Sequence, residues 1–456
     1  MSLQIVAGGS GAGKSTYIYS DVIEKSMKYP EKNYIVVVPE QYTMATQKKL
    51  VDSHPRKGIL NIDVVSFERL SYKVFEEIGG QNHPVLDDTG KNLIVRKVLG
   101  DNRDKLRYFG SNINKTGFVS ELKSVISEFL QYDIDVKRLG EIRERVEDSR
   151  QLSAKLDDIS VVYSAFKEYL ADNYITSEEI LSVLCSVIDR SENIKRSEII
   201  LDGFTGFTPI QYRLIELLLI YSGKVIVSVT ADSREKLNVN EGVQQLFFMS
   251  KEMVSKLYRI CDVIHVDVLN PIILDNEKNP RFVSDEIAFL EKNIFRNNNQ
   301  SYNKKCEDIK IITAQTPKEE LNYCISEILR LTRYEGYRYR DIAIVSADMA
   351  SYGILAGNIC RQNRIPCFVD NKKPVTDNPF VEYIRSALEI IEKSFTYDSM
   401  FRYLRSGMSG ISREDVDLLD NYCLAVGIRG SKQWHGTWVK KGRGRSAYPL
   451  DYLNEL

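Results

Sequence analysis

The sequence is poor in the residues that build metal centres. It holds four histidines, at 54, 83, 265 and 435, and no two are spaced as a ligand pair, so a zinc site is not expected. Its seven cysteines stand at 185, 261, 306, 324, 360, 367 and 423. The number is odd, none forms Cys-x-x-Cys, and such scattered thiols suit a reducing compartment rather than a disulfide framework. No uninterrupted apolar stretch approaches the roughly 18 residues of a transmembrane helix, so no membrane association is expected. The start, Met1-Ser2-Leu3-Gln4-Ile5-Val6, has neither the basic nor the apolar region of a secretory signal, which points to the cytoplasm. An excess of charge of one sign is also missing. Sixty-two Lys and Arg stand against 63 Asp and Glu, a net charge of −1. That excludes a wholly basic coat protein or an acidic solvating tail, and it leaves nucleic-acid binding open, because patches rather than totals decide it.

What is present is the composition of a globular protein: 43% hydrophobic and 27% charged residues. At about 150 residues per domain, 456 residues suggest about three domains and at least two hydrophobic cores. Residues 3–7 read as a strand, followed by a glycine-rich turn and a helix from about 14 to 27. Tyr34-Ile-Val-Val-Val38 is a continuous apolar, β-branched run ended by Pro39, which describes a strand buried on both faces. A helix over 41–51, a strand over 62–66 and a helix over 67–78 complete a βαβαβα order, which implies a parallel sheet with crossover helices. From about 87 to 190 the spacing is helical throughout. Val119, Leu122, Ile126, Phe129 and Leu130 share one face, as do Ile159, Val162, Tyr163, Phe166 and Leu170. The α/β pattern then resumes with strands at 198–202 and 225–229 around a helix at 209–221. The polar stretch 270–306, centred on Asn297-Asn298-Asn299-Gln300, reads as a linker. A second α/β unit follows, with strands over 309–312, 341–345 and 366–370 and helices over 317–332 and 352–362.

The first turn carries the sharpest chemistry. Gly8, Gly9, Ser10, Gly11, Ala12, Gly13, Lys14, Ser15 and Thr16 satisfy G-x-x-x-x-G-K-[ST] between a strand and a helix. Glycines let the backbone curl so that successive N–H groups converge on one phosphate. The helix aims its positive dipole end at the same place. The Lys14 ammonium would reach the β- and γ-phosphates of ATP, and the Ser15 hydroxyl would coordinate Mg²⁺. Asp202, ending its strand, is the candidate for a second acid holding Mg²⁺ through water; capping a turn is its plainer role. The next residue is Gly203, where many ATPases place a Glu that activates water. Slow or absent hydrolysis is therefore expected even if ATP binds.

Other polar groups follow the strands, at the carboxyl ends where parallel sheets bind ligands. Gln41, Phe67 and Arg69 could face a phosphate backbone or simply belong to turns and helix caps. Thr208 and Pro209 suit a helix start, and Gln211 could touch nucleotide or DNA or be a solvated first-turn residue. Between Asn421 and Leu450 there is no acid, while Arg429, Lys432, Lys440, Lys441, Arg443 and Arg445 are interleaved with Tyr422, Trp434, Trp438 and Tyr448. Basic side chains with stacking rings suit single-stranded nucleic acid; a solvated loop around two core tryptophans fits the same residues.

Taken in order, the phosphate loop, Val36-Val-Val-Pro-Glu-Gln41, Val64-Val-Ser-Phe-Glu-Arg-Leu70, Leu201-Asp-Gly-Phe-Thr-Gly-Phe-Thr-Pro-Ile-Gln211, Asp341-Ile-Ala-Ile-Val345 and Ile365-Pro-Cys-Phe-Val-Asp370 resemble the B subunit of the AddAB (RexAB) helicase–nuclease of bacteria such as clostridia and bacilli. The 201–211 segment is the most specific, since it keeps the Asp and lacks the Glu in the manner of that family. The resemblance implies an α/β fold of P-loop, RecA-like, superfamily-1 helicase-like domains, each a parallel sheet with flanking helices, interrupted by an all-helical 1B-type insertion. Residues 1–85 plus 195–270 would form the first RecA-like domain, 86–194 the insert, 271–305 the linker, and 306–456 the start of the second RecA-like domain with an incomplete helical 2B-like portion.

The resemblance further implies an ATP-dependent helicase/deoxyribonuclease that processes broken DNA ends for recombinational repair. Its A subunit would be the partner and main motor, and its B subunit would be a degenerate helicase that scans single-stranded DNA. At less than half the expected length, the chain would end before the family's exonuclease carboxylates, its iron–sulfur cysteines and the arginine that completes an ATP site. An active ATP-driven helicase and a P-loop kinase or transferase are the alternatives. Gly203 argues against the first; the helical insert and second α/β unit argue against the second.

Overall fold

The structure is a computed structural model, which describes all residues except 80–83, 114, 116, 147–148, 172–173, 240–241, 275–280, 297–299, 371–374, 376–377 and 441–447. The described chain divides into two compact units, Met1–Lys310 and Ile311–Leu456.

The first unit opens with β1 (Ser2–Gly8), α1 (Lys14–Lys28), β2 (Asn33–Val37), α2 (Thr43–Ser53), β3 (Ile62–Val65) and α3 (Phe67–Ile78). A helical block follows, running from β4 (Val85–Leu86) through α4 (Asp88–Asp101), α5 (Phe118–Gln131), α6 (Val136–Glu144) and α7 (Arg150–Leu170) to β5 (Ile175–Thr176). The chain then returns through α8 (Ile180–Val187), α9 (Glu192–Lys195), β6 (Ser197–Leu201), α10 (Pro209–Tyr221), β7 (Lys224–Thr230), α11 (Phe248–Ile264), β8 (Asp267–Val268), β9 (Ile272–Leu274) and α12 (Asp285–Asn293).

The main sheet has the order β3-β2-β6-β7-β1-β8, with β9 also pairing with β1. Every pairing is parallel. Successive side chains point to opposite faces, and both faces are covered. Leu3, Ile5, Ala7, Ile35 and Val37 enter one core with α3, α8, α10 and α11. Val6, Tyr34 and Val36 enter the other with Ile18, Tyr19 and Val22 of α1. This double burial is why the central strands are rich in apolar, β-branched residues. Because all strands run the same way, the turns after β1, β2, β3, β6 and β7 gather along one edge of the sheet.

The helical block has a core of its own, built on Val95, Leu99, Ile126, Val162 and Phe166. Buried Asp158 fixes its first loop by accepting hydrogen bonds from the amides of Arg107 (3.0 Å), Tyr108 (2.8 Å) and Phe109 (2.8 Å). The two ends of the block meet where β4 pairs with β5. Next to that pair the Lys91 ammonium, buried on α4, donates to Glu178 at 2.7 Å.

The stretch 271–305, expected as a linker, is built into the first unit. Ile272, Ile273 and Leu274 register against Val6, Ala7 and Gly8 of β1. Glu286 of α12 gathers the segment beyond it, accepting from the amides of Glu307 (2.7 Å) and Asp308 (2.8 Å). Three apolar residues after a proline carry too short a pattern to announce a strand. The asparagines 297–299 lie outside the described residues.

The second unit comprises α13 (Pro317–Tyr334), α14 (Met349–Gln362), α15 (Pro379–Glu392), α16 (Tyr397–Leu404), α17 (Arg413–Val426), α18 (Ser431–Trp434) and α19 (Leu450–Glu455). It holds one core around Leu321, Ile325, Ile359 and Ile365 and another around Phe401, Leu419 and Tyr422. The three strands expected at 309–312, 341–345 and 366–370 do not form: among the described residues no ladder pairs them. A strand exists only through its lateral partners, and here Ile311, Val345 and Phe368 stand 92%, 91% and 89% exposed. No described helix is long and apolar enough to cross a membrane.

Candidate nucleotide site

The turn after β1 follows from its glycines. Gly11 (φ +81°) and Gly13 (φ +93°) lie in the left-handed region, which costs side-chain-bearing residues about 1–2 kcal/mol each. Gly13 is the cap of α1, which has no side-chain cap and no acid in its first turn. The helix therefore presents its first-turn amides and positive dipole end to the turn. The Lys14 ammonium folds back over the loop, donating to the carbonyls of Gly8 (3.0 Å) and Gly9 (2.9 Å). Burial lowers the Lys14 pKa, and the negative charge of Asp202 opposes that shift. Gly8 and Ala12 are buried, Gly9, Lys14 and Ser15 half-buried, and Ser10 and Thr16 exposed. Thr16 accepts a long hydrogen bond from Lys49 at 3.4 Å.

Asp202 lies just past β6, 5% exposed. The Tyr19 hydroxyl of α1 donates to Oδ2 at 2.6 Å. The Ser228 hydroxyl of β7 donates to Oδ1 and accepts from the Gly203 amide at 3.2 Å. Burial, then the charge and hydrogen bond of Asp202, push the Tyr19 phenol well above its usual pKa, so it stays a donor. Each carboxylate oxygen keeps lone-pair capacity beyond its one hydroxyl partner. Lys14 lies within range of the Asp202 charge, and Tyr19 ties α1 to Asp202. Tyr19 and Ser228 were not foreseen, because their role depends on which strands become neighbours. Gly203 sits at φ +82°, in the left-handed region that disfavours a side-chain-bearing residue such as Glu.

The flanking candidates divide. Gln41 is exposed in the turn after β2. Arg69 is exposed too, and its guanidinium pairs with Glu40 at 2.9 Å. Phe67 is buried instead, its ring 5.3 Å from Phe204 and 6.2 Å from Phe207. Gln211 closes a capping box, its Oε1 accepting from the Thr208 amide at 2.9 Å, so that side chain serves the helix start. In the second unit Lys432 is exposed. Trp434 and Trp438 pack edge to face, 5.4 Å apart, and Trp438 lies 5.2 Å from Tyr422. Both indoles are half-buried against the α16–α17 core. Arg443 lies outside the described residues. Among the described residues no group of His, Cys, Asp and Glu is placed to hold a metal ion, and the cysteines are free thiols.

Comparison with known proteins shows the family. Residues 5–291 match the family model described as "ADDB, N-terminal". The chain is 44% identical over its whole length to the B subunit of the ATP-dependent helicase/deoxyribonuclease of Lachnoclostridium phytofermentans. It is 36% identical over 96% of its length to the protein of that name from Clostridium novyi, and 35% identical over its whole length to that from Caldanaerobacter subterraneus subsp. tengcongensis. It spans 40%, 38% and 38% of those relatives' own lengths. On the strength of the family model, which covers more than half of it, the chain belongs to the ADDB N-terminal family.

Proposed function

We propose that this chain is the ATP- and DNA-binding portion of the B subunit in a bacterial helicase–nuclease that prepares broken duplex ends for homologous recombination, working in the cytoplasm beside an A subunit. The observation that supports the reading is the glycine-rich turn in its strand–turn–helix setting, with Lys14 folded over it and within range of the charge of a buried Asp202. The donor set fits a Mg–nucleotide. The amides at the start of α1 and the Lys14 ammonium would hold the phosphates, and Ser15, with Asp202 through water, would hold Mg²⁺. Bound there, the cation would neutralise phosphate charge and fix the triphosphate's geometry.

The chain's own residues explain why hydrolysis should be slow. Lys14 has to leave the Gly8 and Gly9 carbonyls to reach a phosphate. Tyr19 and Ser228 lock Asp202 by donating to it, which suits a fixed outer partner of a cation rather than a proton acceptor. Gly203 offers no base. The site is therefore suited to binding and sensing nucleotide more than to driving a motor. Gln41 and Arg69 at the sheet edge, with Lys432 in the second unit, are the exposed candidates for single-stranded DNA.

The tests are ATP binding and DNA binding on this chain. Binding of Mg–ATP that is lost in Lys14→Ala supports the reading, and binding unchanged in that variant contradicts it. Affinity for single-stranded DNA should fall as salt rises, because phosphate contacts release counterions; salt-independent binding would remove the electrostatic interface.

A further inference from the structure

Beside the phosphate loop a cavity of about 340 Å³ is lined by Gly9, Ala12, Asp232, Arg234, Lys292 and Arg296, among others. Asp232 lies just past β7, 6% exposed, and the amide of the preceding Ala231 donates to the Gly8 carbonyl at 3.2 Å. Arg234 alone saturates one side of this carboxylate. Its Nε donates at 2.9 Å, its Nη2 at 2.8 Å and its backbone amide at 3.0 Å. Arg296 adds a second guanidinium, its Nη2 3.0 Å from Oδ2.

One acid therefore holds two fixed cations. The cavity as a whole faces Arg234, Lys292 and Arg296 with only Asp232 and Glu291. Burial works to raise the Asp232 carboxyl, but the hydrogen bonds from Arg234 and the charge of Arg296 hold it below the usual range. The surplus is positive, in a cavity that Gly9 and Ala12 of the turn also line.

Arg296 holds Asp232 by one contact where Arg234 uses three. Its Nη1 donates to the Lys292 carbonyl at 3.0 Å, and it is turned back onto Asp232 by Phe295, held at φ +58° just beyond α12. On the other side of α12 in the chain, Arg281 lies over the loop: a Cβ added at Gly11 would come within 2.5 Å of its Cδ.

We propose that Arg296 reads the terminal phosphate of a nucleoside triphosphate bound at the loop. It leaves Asp232, which Arg234 keeps neutralised, and donates to the phosphate, while Arg281 swings off Gly11. Triphosphate is thereby distinguished from diphosphate, and α12 moves with the distinction. The inference rests on nucleotide binding at the loop and adds a specificity residue to it.

The test compares affinities of the full chain for Mg–ADP and for the Mg complex of the β,γ-imido analogue of ATP, in wild type, Arg296→Gln and Arg296→Lys. In Arg296→Gln, triphosphate affinity should fall on the order of tenfold or more, the scale of a lost charged hydrogen bond, with diphosphate affinity nearly unchanged. Arg296→Lys, which keeps the charge and loses the fork, should show a smaller loss in the same direction. It also serves as the test variant if the Gln protein does not fold. An equal loss for both nucleotides, or none for either, overturns the assignment. A wild type that binds neither nucleotide, or a Lys14→Ala protein that binds both undiminished, overturns the phosphate-loop reading itself and this inference with it.

Discussion

At the scale of single residues, the site depends on side chains that the linear motif names and on others that it does not. Lys14 and Ser15 were legible because the phosphate loop is contiguous in sequence and each position has a stated physical duty. Tyr19 was not, because nothing in α1 announces that its hydroxyl meets an aspartate 183 positions away. Asp232 ends a strand just as Asp202 does, so a signal was present, but its arginine partners come from a turn and from the end of α12. Two outcomes belong here. Tyr19→Phe leaves a buried carboxylate short of one donor and should cost about 1.5–3 kcal/mol of unfolding free energy, measured by denaturant titration. It should also weaken the Mg²⁺ dependence of nucleotide binding, which mere loss of packing would not change. Gly203→Ala places a Cβ at φ +82° and should cost about 1–2 kcal/mol, with no gain in ATP turnover; unchanged stability would mean that the turn relaxes.

At the scale of elements, period and length decided what could be read. β2 and the apolar stretches of β1, β6 and β7 are buried, so they were marked by composition, whereas β3 lies at the sheet edge with Asp63 half-exposed. The stripes of α5 and α7 marked the helical block, where Leu122, Ile126, Val162 and Phe166 are buried. β9 was missed because three residues carry no period, and α12 because its composition is polar, although its Glu291 lies beside Gly9. The strands expected in the second unit failed for the opposite reason: 309–312, 341–345 and 366–370 have strand composition, but among the described residues no neighbours pair with them.

The junction of the helical block yields a pH prediction. Burial would raise the Glu178 carboxyl, but the hydrogen bond and charge of Lys91 outweigh it and hold Glu178 below its ordinary 4.5. A carboxyl lowered on folding stabilises fully above its unfolded pKa, and that contribution is lost as pH falls through the folded value. Stability should therefore begin to drop as pH falls below about 4.5 and continue to fall through the lower folded value. Glu178→Gln should cost about 1–3 kcal/mol at pH 7 and flatten that part of the acid limb. An acid limb identical to wild type would mean that this pair does not titrate with folding.

At the scale of the whole molecule, the order of motifs along the chain identified the family, and the fold explains why order carries that information. Motifs far apart in the chain sit in loops that the parallel strands bring to one edge of the sheet. The relatives that match are named as the B subunit of an ATP-dependent helicase/deoxyribonuclease, and the chain spans about two fifths of their length. Nothing in sequence order alone could place the charged cavity between the loop and α12, since its parts are separated by some 280 residues from Gly9 to Arg296 and meet only in the folded unit. The central claim is that this loop binds ATP while the site lacks the base that would make it a motor. Steady-state ATP turnover, with and without single-stranded DNA, on protein already shown to bind Mg–ATP tests it most directly. Slow turnover that DNA does not stimulate, with binding abolished in Lys14→Ala, is the expected result. DNA-stimulated hydrolysis at the rates of a translocating motor would contradict it.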